Sequence, residues 1–300
     1  MNIFQRNAKK LVAIPVMSGA ASVVFIRLIE ASPIAIGFYR LGLSALIFGI
    51  PILLGGYKHY KGTTTKELLL CILSGFILFC HFVTWFTAIK TTTIASAAVL
   101  FSLHPLAVLV ATFFILKKKV KAKAIVGILV ALSGGAITAL ANQTLYGSHI
   151  FGDSIALISG ILFGAYFFIG QIMRSKMATL NYIFIVFTSC FVFFAIAMVV
   201  TGTPFIGYRT EDYLLMIGLT IICQVLAHAM YNWCMGYVSS LYISVFTSIQ
   251  AVIAVFYGII FFQEIPILFQ WIGAFVAVSG LLYYNVNSHE TPKDGKLGDG

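Results

Sequence analysis

Long apolar runs, separated by short polar or glycine- and proline-containing breaks, follow one another along almost the whole chain. A helix needs about 20 apolar residues to cross about 30 Å of hydrocarbon, so each run predicts a membrane-spanning helix. The breaks suit tight connections between helices. The pattern predicts an all-α integral membrane protein with ten transmembrane helices, at residues 11–29, 34–56, 68–89, 94–116, 124–141, 152–172, 180–201, 213–234, 241–262 and 266–286.

The composition agrees with a hydrocarbon environment. Of the residues, 60% are hydrophobic and 9% are charged, whereas a soluble domain carries roughly 25% charged residues. The net charge of +10 comes from basic residues in short clusters between apolar runs, which is typical of topology signals rather than of nucleic-acid binding. The five cysteines show no metal-ligand spacing. We therefore expect a lipid bilayer as the partner, no nucleic acid, and neither a metal nor a cofactor.

The distribution of lysine and arginine predicts the orientation. If ten helices cross the membrane, only Arg27, Arg40, Lys90 and Arg209 of the 19 basic residues fall opposite the N-terminus, and 19 − 4 = 15 fall on its own side. Cytoplasmic loops carry the excess of positive charge. Both termini are therefore expected in the cytoplasm. The first run resembles a signal peptide, but nine further spans follow, so we expect it to be retained as a helix.

The two halves of the chain resemble each other. Residues 103–135 can be laid on residues 249–281 at an offset of 146, which places Gly127 on Gly273 and Gly134 on Gly280. Five helices per half force the second half to insert upside down, which is the inverted repeat of many transporters. The predicted units are residues 1–146, residues 147–287 and a disordered polar tail at 288–300.

Several motifs resemble the EamA-type members of the drug/metabolite transporter superfamily. They are residues 81–85 (HFVTW), 103–105 (LHP), 261–264 (FFQE) and 38–40 (FYR). The resemblance implies ten helices in two inverted EamA-type repeats, and carriage of small organic metabolites or drugs across a bacterial cytoplasmic membrane. The chain departs from the family where Lys117 to Lys119 replace an acidic residue, although its counterpart Glu264 is present.

Polar residues inside the spans are candidates for a transport site because they are costly in hydrocarbon. His81 and Trp85 in the third helix have counterparts in the eighth, His228 and Trp233, at offsets of 147 and 148. Together with Asn232 they predict a cavity with two aromatic walls, two imidazoles and an amide. The alternative is that these residues only fasten helices to one another.

Helices 4 and 9 are expected to complete the cavity. His104 precedes Pro105, which frees a backbone carbonyl, and Gln250 lies opposite it at the offset of 146; the alternative is a packing kink. Arg40, after Tyr39, is expected either to bind an anionic group or to snorkel to the outer headgroups. Arg27 and Glu30 are expected to pair at a helix end.

The charges also indicate the cargo. No Asp or Glu falls in the middle of a span, and this favours neutral, zwitterionic or weakly anionic substrates, such as amino acids, over cations. An exporter is expected, with facilitated diffusion and proton coupling through His81 and His228 both left open. The alternatives are a multidrug efflux carrier and a non-transporting receptor or scaffold. No nucleophile or ligand cluster predicts an enzyme, and a homodimer is left open.

Overall fold

The computed structural model describes residues 7–55, 63–117, 122–146 and 149–288. This part of the chain is helical throughout, with short connections and no β-strand. The predicted polar tail after Ser288 and most of the loop lysines lie outside the described residues. The helices are α1 (Ala8–Leu28), α2 (Pro33–Gly55), α3 (Thr65–Thr91), α4 (Ile94–Phe101 and His104–Leu116), α5 (Ala122–Tyr146), α6 (Ile150–Arg174), α7 (Thr179–Thr201), α8 (Thr210–Cys234), α9 (Ser240–Phe262) and α10 (Leu268–Ser288).

The helices have the length and composition of membrane spans. Within the described residues, eight are long and apolar enough to cross a bilayer, whereas α5 and α10 contain the shorter apolar stretches Ile125–Ala141 and Leu268–Tyr284. Large apolar side chains are exposed on the outside of the bundle, for example Leu53 at 86% and Phe275 at 75%. Such a surface suits lipid rather than water. The predicted all-α membrane architecture is confirmed.

α1 is interrupted at Val12 and Ala21, and three further helices depart from regular α-helical geometry in their middle parts. α4 is interrupted at Ser102 and Leu103, directly before His104 and Pro105, as the proline indicates. α9 is interrupted between Ser240–Thr247 and Gln250–Phe262, where no proline is present. The two interruptions touch, since the Ser248 hydroxyl donates to the Ser102 carbonyl at 2.9 Å. In α8, residues Thr220–Ala229 form a π-helix.

Two pairs of helices at equivalent positions in the two halves, α5 with α10 and α2 with α7, pack antiparallel to each other. In the α5–α10 pair, Gly127 faces the backbone of Gly280, and Gly134 faces the backbone of Gly273. Because Gly127 and Gly273 correspond at the offset of 146, as do Gly134 and Gly280, the two contacts are equivalent. α2 and α7 also run antiparallel, because Gly37 faces Phe194 while Gly49 faces Phe184.

Ion pairs join helix ends at the end of the bundle where α1 finishes and α8 begins, which we call the Arg27 end. Arg27 pairs with Glu264 at 2.9 Å, and Glu30 pairs with Arg209 at 2.6 Å. The predicted Arg27–Glu30 pair is therefore wrong. The Glu30 amide donates to Asp212 at 3.0 Å, so the chain after α1 turns Glu30 towards α8 and leaves Arg27 facing α9.

At the opposite end, which we call the Arg174 end, the described residues form fewer ion pairs. Lys176 pairs with Glu67 at 3.2 Å, and Glu67 also caps α3 by accepting from the Thr64 amide at 3.0 Å. The Arg174 guanidinium donates to two backbone carbonyls, that of Asn232 at 3.0 Å and that of Met177. The Arg174 guanidinium therefore binds neutral acceptors at its end of the bundle, whereas the Arg27 guanidinium forms an ion pair at the other end.

The α5–α10 contact predicts a large effect for a small substitution. In Gly134→Ala the new methyl group would lie 2.3 Å from the Ala277 nitrogen, and because this is backbone the helices must separate. Overpacking of this kind costs about 1–3 kcal/mol, so we expect the Tm of the detergent-purified protein to fall by several degrees. The control is Gly258→Ala, whose methyl would meet Ile94 at an ordinary 3.5 Å. Equal Tm values for the two variants would contradict the account of this contact.

Candidate functional site

A small cavity lies at the centre of the bundle, beside the interruptions of α4 and α9. Its volume is about 30 Å³, which is room for about two water molecules. A second cavity of about 20 Å³ adjoins it and shares several lining residues. The described conformation is therefore closed at its centre to solutes larger than water. The first cavity is lined by Gly19, Ser22, Arg40, His81, Phe82, Trp85, Phe101, Phe163, Cys223, His228, Tyr231 and Gln250.

Five of the nine residues predicted from the sequence line this cavity. They come from four different helices, α2, α3, α8 and α9, so the fold brings together positions that are distant in the chain. Their role in binding a substrate stays a prediction. The five are Arg40, His81, Trp85, His228 and Gln250.

Two predicted residues of α8 lie away from the cavity lining. Asn232 is buried and donates to the Tyr166 hydroxyl at 2.5 Å and to the His228 carbonyl at 2.7 Å. Trp233 packs on Tyr237 with ring centroids 5.0 Å apart, so the predicted second aromatic wall is absent from the lining. The i→i+5 bonding of the π-helix changes the angular register that a regular helix would have. Tyr231 lines the cavity in place of Asn232 and Trp233.

The other two predicted residues that do not line it are His104 and Tyr39. His104 packs against Phe101, with ring centroids 5.1 Å apart, and its Nδ1 lies 3.0 Å from the Phe101 carbonyl. Tyr39 belongs to an aromatic group at the Arg27 end, where its ring contacts Tyr208 and Tyr213 edge-on. Its hydroxyl donates to the Phe205 carbonyl.

The two cavity histidines come from equivalent positions and face each other. The ring centroids of His81 and His228 are 6.3 Å apart. His81 Nδ1 lies 3.1 Å from the Ser159 carbonyl and 2.9 Å from the Ser159 hydroxyl. Since a carbonyl only accepts, Nδ1 carries the proton in that contact. His228 Nδ1 is buried and has no hydrogen-bond partner among the described residues.

Arg40 is almost fully buried, with 1% of its surface exposed. Its Nε donates to the Gln224 side-chain oxygen at 2.8 Å, and its Nη2 donates to the Cys223 carbonyl at 2.9 Å. The guanidinium lies 4.4 Å above the Phe82 ring, a cation–π contact. Arg40 is seven residues from the start of α2, about 10 Å along the helix. The expectation that it snorkels to the headgroups is therefore wrong.

The phenylalanines of the lining escaped the sequence analysis. Phe163 of α6 lies 4.9 Å from His81, and Phe101 of α4 lies 4.7 Å from Trp85, measured between ring centroids. With 27 phenylalanines in the chain, composition alone does not distinguish these two from lipid-facing ones. Gly19 of α1 was also missed, although a methyl group there would lie 2.2 Å from Gln250 Nε2.

Comparison with known proteins identifies the family. The sequence pattern of the EamA-like transporter family matches the chain twice, at residues 9–140 and at residues 150–286. The chain belongs to the EamA-like transporter family. It is thus a multi-pass membrane protein of a transporter family, which agrees with the resemblance seen in its motifs. The two matched segments together cover nearly all of the helical part.

Individual proteins are similar to the chain over most of its length. An uncharacterized transporter of Archaeoglobus fulgidus is 25% identical over 288 residues, which cover 93% of this chain and 98% of the relative. A protein of known crystal structure superposes with a TM-score of 0.68 at 14% identity, covering 94% of this chain and 98% of that one. At this identity, the structural likeness shows a shared fold only.

The positions of the two tryptophans predict different effects of one substitution. Trp85→Leu removes a wall of the cavity, and we expect solute counterflow in liposomes to fall about fivefold, as the loss of roughly 1 kcal/mol of aromatic contact would give. Trp233→Leu is the matched control, because Trp233 lies half-buried outside the lining. The assay uses the solute with the highest wild-type counterflow. A larger loss in Trp233→Leu than in Trp85→Leu would show that the site lies elsewhere.

Proposed function

We propose that the protein exports small organic metabolites across a bacterial cytoplasmic membrane by alternating access around the central cavity. Neutral and zwitterionic solutes such as amino acids are the preferred cargo. The observation that carries the proposal is a closed cavity with buried polar side chains, located where interrupted helices from both halves meet. Interrupted helices at mid-membrane are the usual setting of transport sites.

The architecture in this proposal is a pair of inverted repeats, residues 1–146 and 147–287, with ten crossings and both termini in the cytoplasm. The double family match and the antiparallel packing of equivalent helices support it. The charges of the loops support the orientation. In an inverted pair, each half can take the conformation of the other, and this exchange opens a central site to one face and then to the other.

Closure at the two ends rests on different interactions. In this orientation the Arg27 end faces outwards and is held by the Arg27–Glu264 ion pair between α1 and α9. Glu264 also accepts from the amide of Ile94 at 2.9 Å, at the start of α4. At the Arg174 end the residue corresponding to Glu264 is Lys118, which lies outside the described residues. In this proposal, Glu264 therefore stabilises the closure of the outward end, and the cytoplasmic end has no equivalent carboxylate at the corresponding position.

The lining favours uncharged or zwitterionic cargo over cations. No acidic residue lines the cavity within the described part of the chain, so a cation would have no carboxylate to replace its hydration. A multidrug efflux carrier for cationic compounds is the alternative that this argument disfavours. His81 and His228 remain candidates to carry a coupling proton. An unchanged pH dependence of transport after both are replaced by glutamine would exclude that role.

Transport itself is tested by counterflow. Liposomes containing the purified protein are loaded with unlabelled amino acids, aromatic acids or cationic drugs, one at a time, and uptake of the labelled solute is followed. We expect saturable, transient accumulation for amino acids or other carboxylates and none for the drugs. Counterflow of the cations alone would favour multidrug efflux. If no solute gives counterflow, a receptor or scaffold becomes the better account.

The closure at the Arg27 end is tested by Glu264→Gln. Loss of an ion pair that is partly exposed costs about 1 kcal/mol or less, so the outward-open population should rise a few-fold. Cys223 can report on this population because it lines the cavity. In the described conformation it is only 1% exposed, so its labelling requires the cavity to open. We expect a membrane-impermeant maleimide to label Cys223 faster in intact cells carrying Glu264→Gln than in cells carrying the wild type.

Glu67→Gln provides the matched control for this experiment, since Glu67 also combines an ion pair with a helix cap, but at the Arg174 end. It should leave external labelling unchanged. A Cys223→Ser variant gives the background from the other four cysteines. Faster external labelling in Glu67→Gln than in Glu264→Gln would mean that the orientation or the assignment of the closure is wrong.

A further inference from the structure

We propose that Arg40 is the anchor for a carboxylate group of the transported solute, with Gln224 and His228 as neutral partners. This inference rests on the proposed function and narrows its substrate class. The solute it describes carries one carboxylate on an apolar or aromatic body. A zwitterionic amino acid with such a side chain is one member of the class, and a simple aromatic acid is another.

The first argument is the charge balance around Arg40. Its guanidinium is buried and lines the cavity, yet within the described residues it forms no ion pair. The chain has nine acidic residues. Six of them, Glu30, Glu67, Asp153, Glu211, Asp212 and Glu264, lie at or near helix ends, and the other three lie after residue 288. A buried guanidinium is normally paired with a carboxylate, and here no carboxylate of a described residue pairs with it.

The second argument is the set of donors left without partners beside the cavity. Arg40 uses Nε and Nη2 within the protein, while its Nη1 makes no hydrogen bond to a described residue. Gln224 Nε2 and His228 Nδ1 are buried and have no hydrogen-bond partner among the described residues. Buried polar groups of this kind are rare in folded proteins and call for an explanation. A ligand that accepts hydrogen bonds would satisfy all three.

The chemistry of these groups selects a carboxylate. A guanidinium offers a planar pair of donors that matches the two oxygens of a carboxylate. The Gln224 amide adds a donor, and the His228 imidazole adds another when its Nδ1 carries the proton. A single fixed positive charge balances a single negative one, which favours a monocarboxylate over a dianion. The Gln224 oxygen now occupies Arg40 Nε and is the neutral group that an entering carboxylate would displace.

The rest of the lining describes the remainder of the solute. Phe82, Trp85, Phe101 and Phe163 supply most of the aromatic lining of the cavity. Aromatic walls favour apolar or aromatic bodies through contact area and ring packing. In the closed conformation the volume of about 30 Å³ admits water only, so the walls must separate for the solute to enter.

Binding to the full-length protein in detergent tests the inference, because ligand binding raises the Tm. The probes are two pairs that differ in the carboxylate: L-phenylalanine with L-phenylalaninamide, and phenylacetate with phenylacetamide. The buffer contains no other carboxylate. We expect a saturable rise in Tm with both acids. The amides should bind at least about tenfold more weakly, the loss expected when a hydrogen bond to a charged group is removed. Equal binding of acid and amide by the wild type overturns the inference.

Arg40→Gln should weaken binding of the acids about tenfold or more and leave the weak binding of the amides unchanged. The matched control is Arg174→Gln, which removes a guanidinium that donates to backbone carbonyls outside the cavity. If Arg40→Gln elutes as an aggregate, Gln224→Met takes its place and should weaken the acids selectively. Acid binding that is unaffected by a folded Arg40→Gln variant overturns the proposal.

Failure of the inference is distinguishable from failure of the proposed function. Counterflow of other solutes, with acids that bind no better than amides, would leave the carrier intact and remove Arg40 as an anchor. Selective binding of acids without counterflow of any solute would keep the anchor but make the protein a receptor rather than a carrier.

Discussion

Hydrocarbon offers no hydrogen-bond partner to a polar group, and the rest of this structure depends on that constraint. A polar side chain in the middle of a span is therefore directed into the bundle, where other polar groups lie. Arg40, His81, Gln224 and Gln250 accordingly meet near one cavity although they come from four helices. The same constraint forces irregular backbone to lie inside the protein, which is where α4 and α9 are interrupted. Polar groups therefore lie at the centre of the bundle, because the lipid around its outer surface offers them no hydrogen-bond partner.

In the proposed architecture, the duplication explains how a single-chain bundle obtains such a centre. Three equivalent pairs pack directly, α2 with α7, α4 with α9 and α5 with α10. The equivalent residues His81 and His228, and likewise Ser102 and Ser248, meet near the middle of the bundle. In the pairs α5–α10 and α2–α7, glycines of one helix lie directly against the backbone or a phenylalanine ring of the other helix. The two helix ends that are also equivalent, Lys117 and Gln263, share a left-handed backbone conformation. Symmetry thus persists where the side chains have diverged.

Much of the fold could be predicted from the sequence because hydropathy and length report directly on membrane spans. The site could be predicted less completely. His81, Trp85, His228 and Gln250 stand out as polar or large residues at matching positions, and all four line the cavity. Trp233 was placed there on the assumption of regular helical spacing, which the π-helix in α8 does not keep. No residue type marks a π-helix, so this error follows from using spacing alone.

Arg40 shows a different limit of sequence reasoning. Its position near the start of α2 made a lipid headgroup a reasonable partner, because a long side chain can reach about one turn of helix outwards. The structure turns it inwards to Gln224, which is 184 residues away in the chain. Contacts between residues so distant in sequence depend on how helices pack. Arg27 illustrates the same point, since its partner is Glu264 rather than the neighbouring Glu30.

The most direct test of the account is a pair of distance measurements that report on both ends of the bundle at once. Spin labels at Leu28 and Phe261 follow the Arg27 end, and labels at the equivalent Ser175 and Ile115 follow the Arg174 end; all four side chains are exposed. In a background without the native cysteines, addition of a transported solute should lengthen one distance distribution while it shortens the other. Two distances that both stay constant, or that change in the same direction, would contradict alternating access around the central cavity.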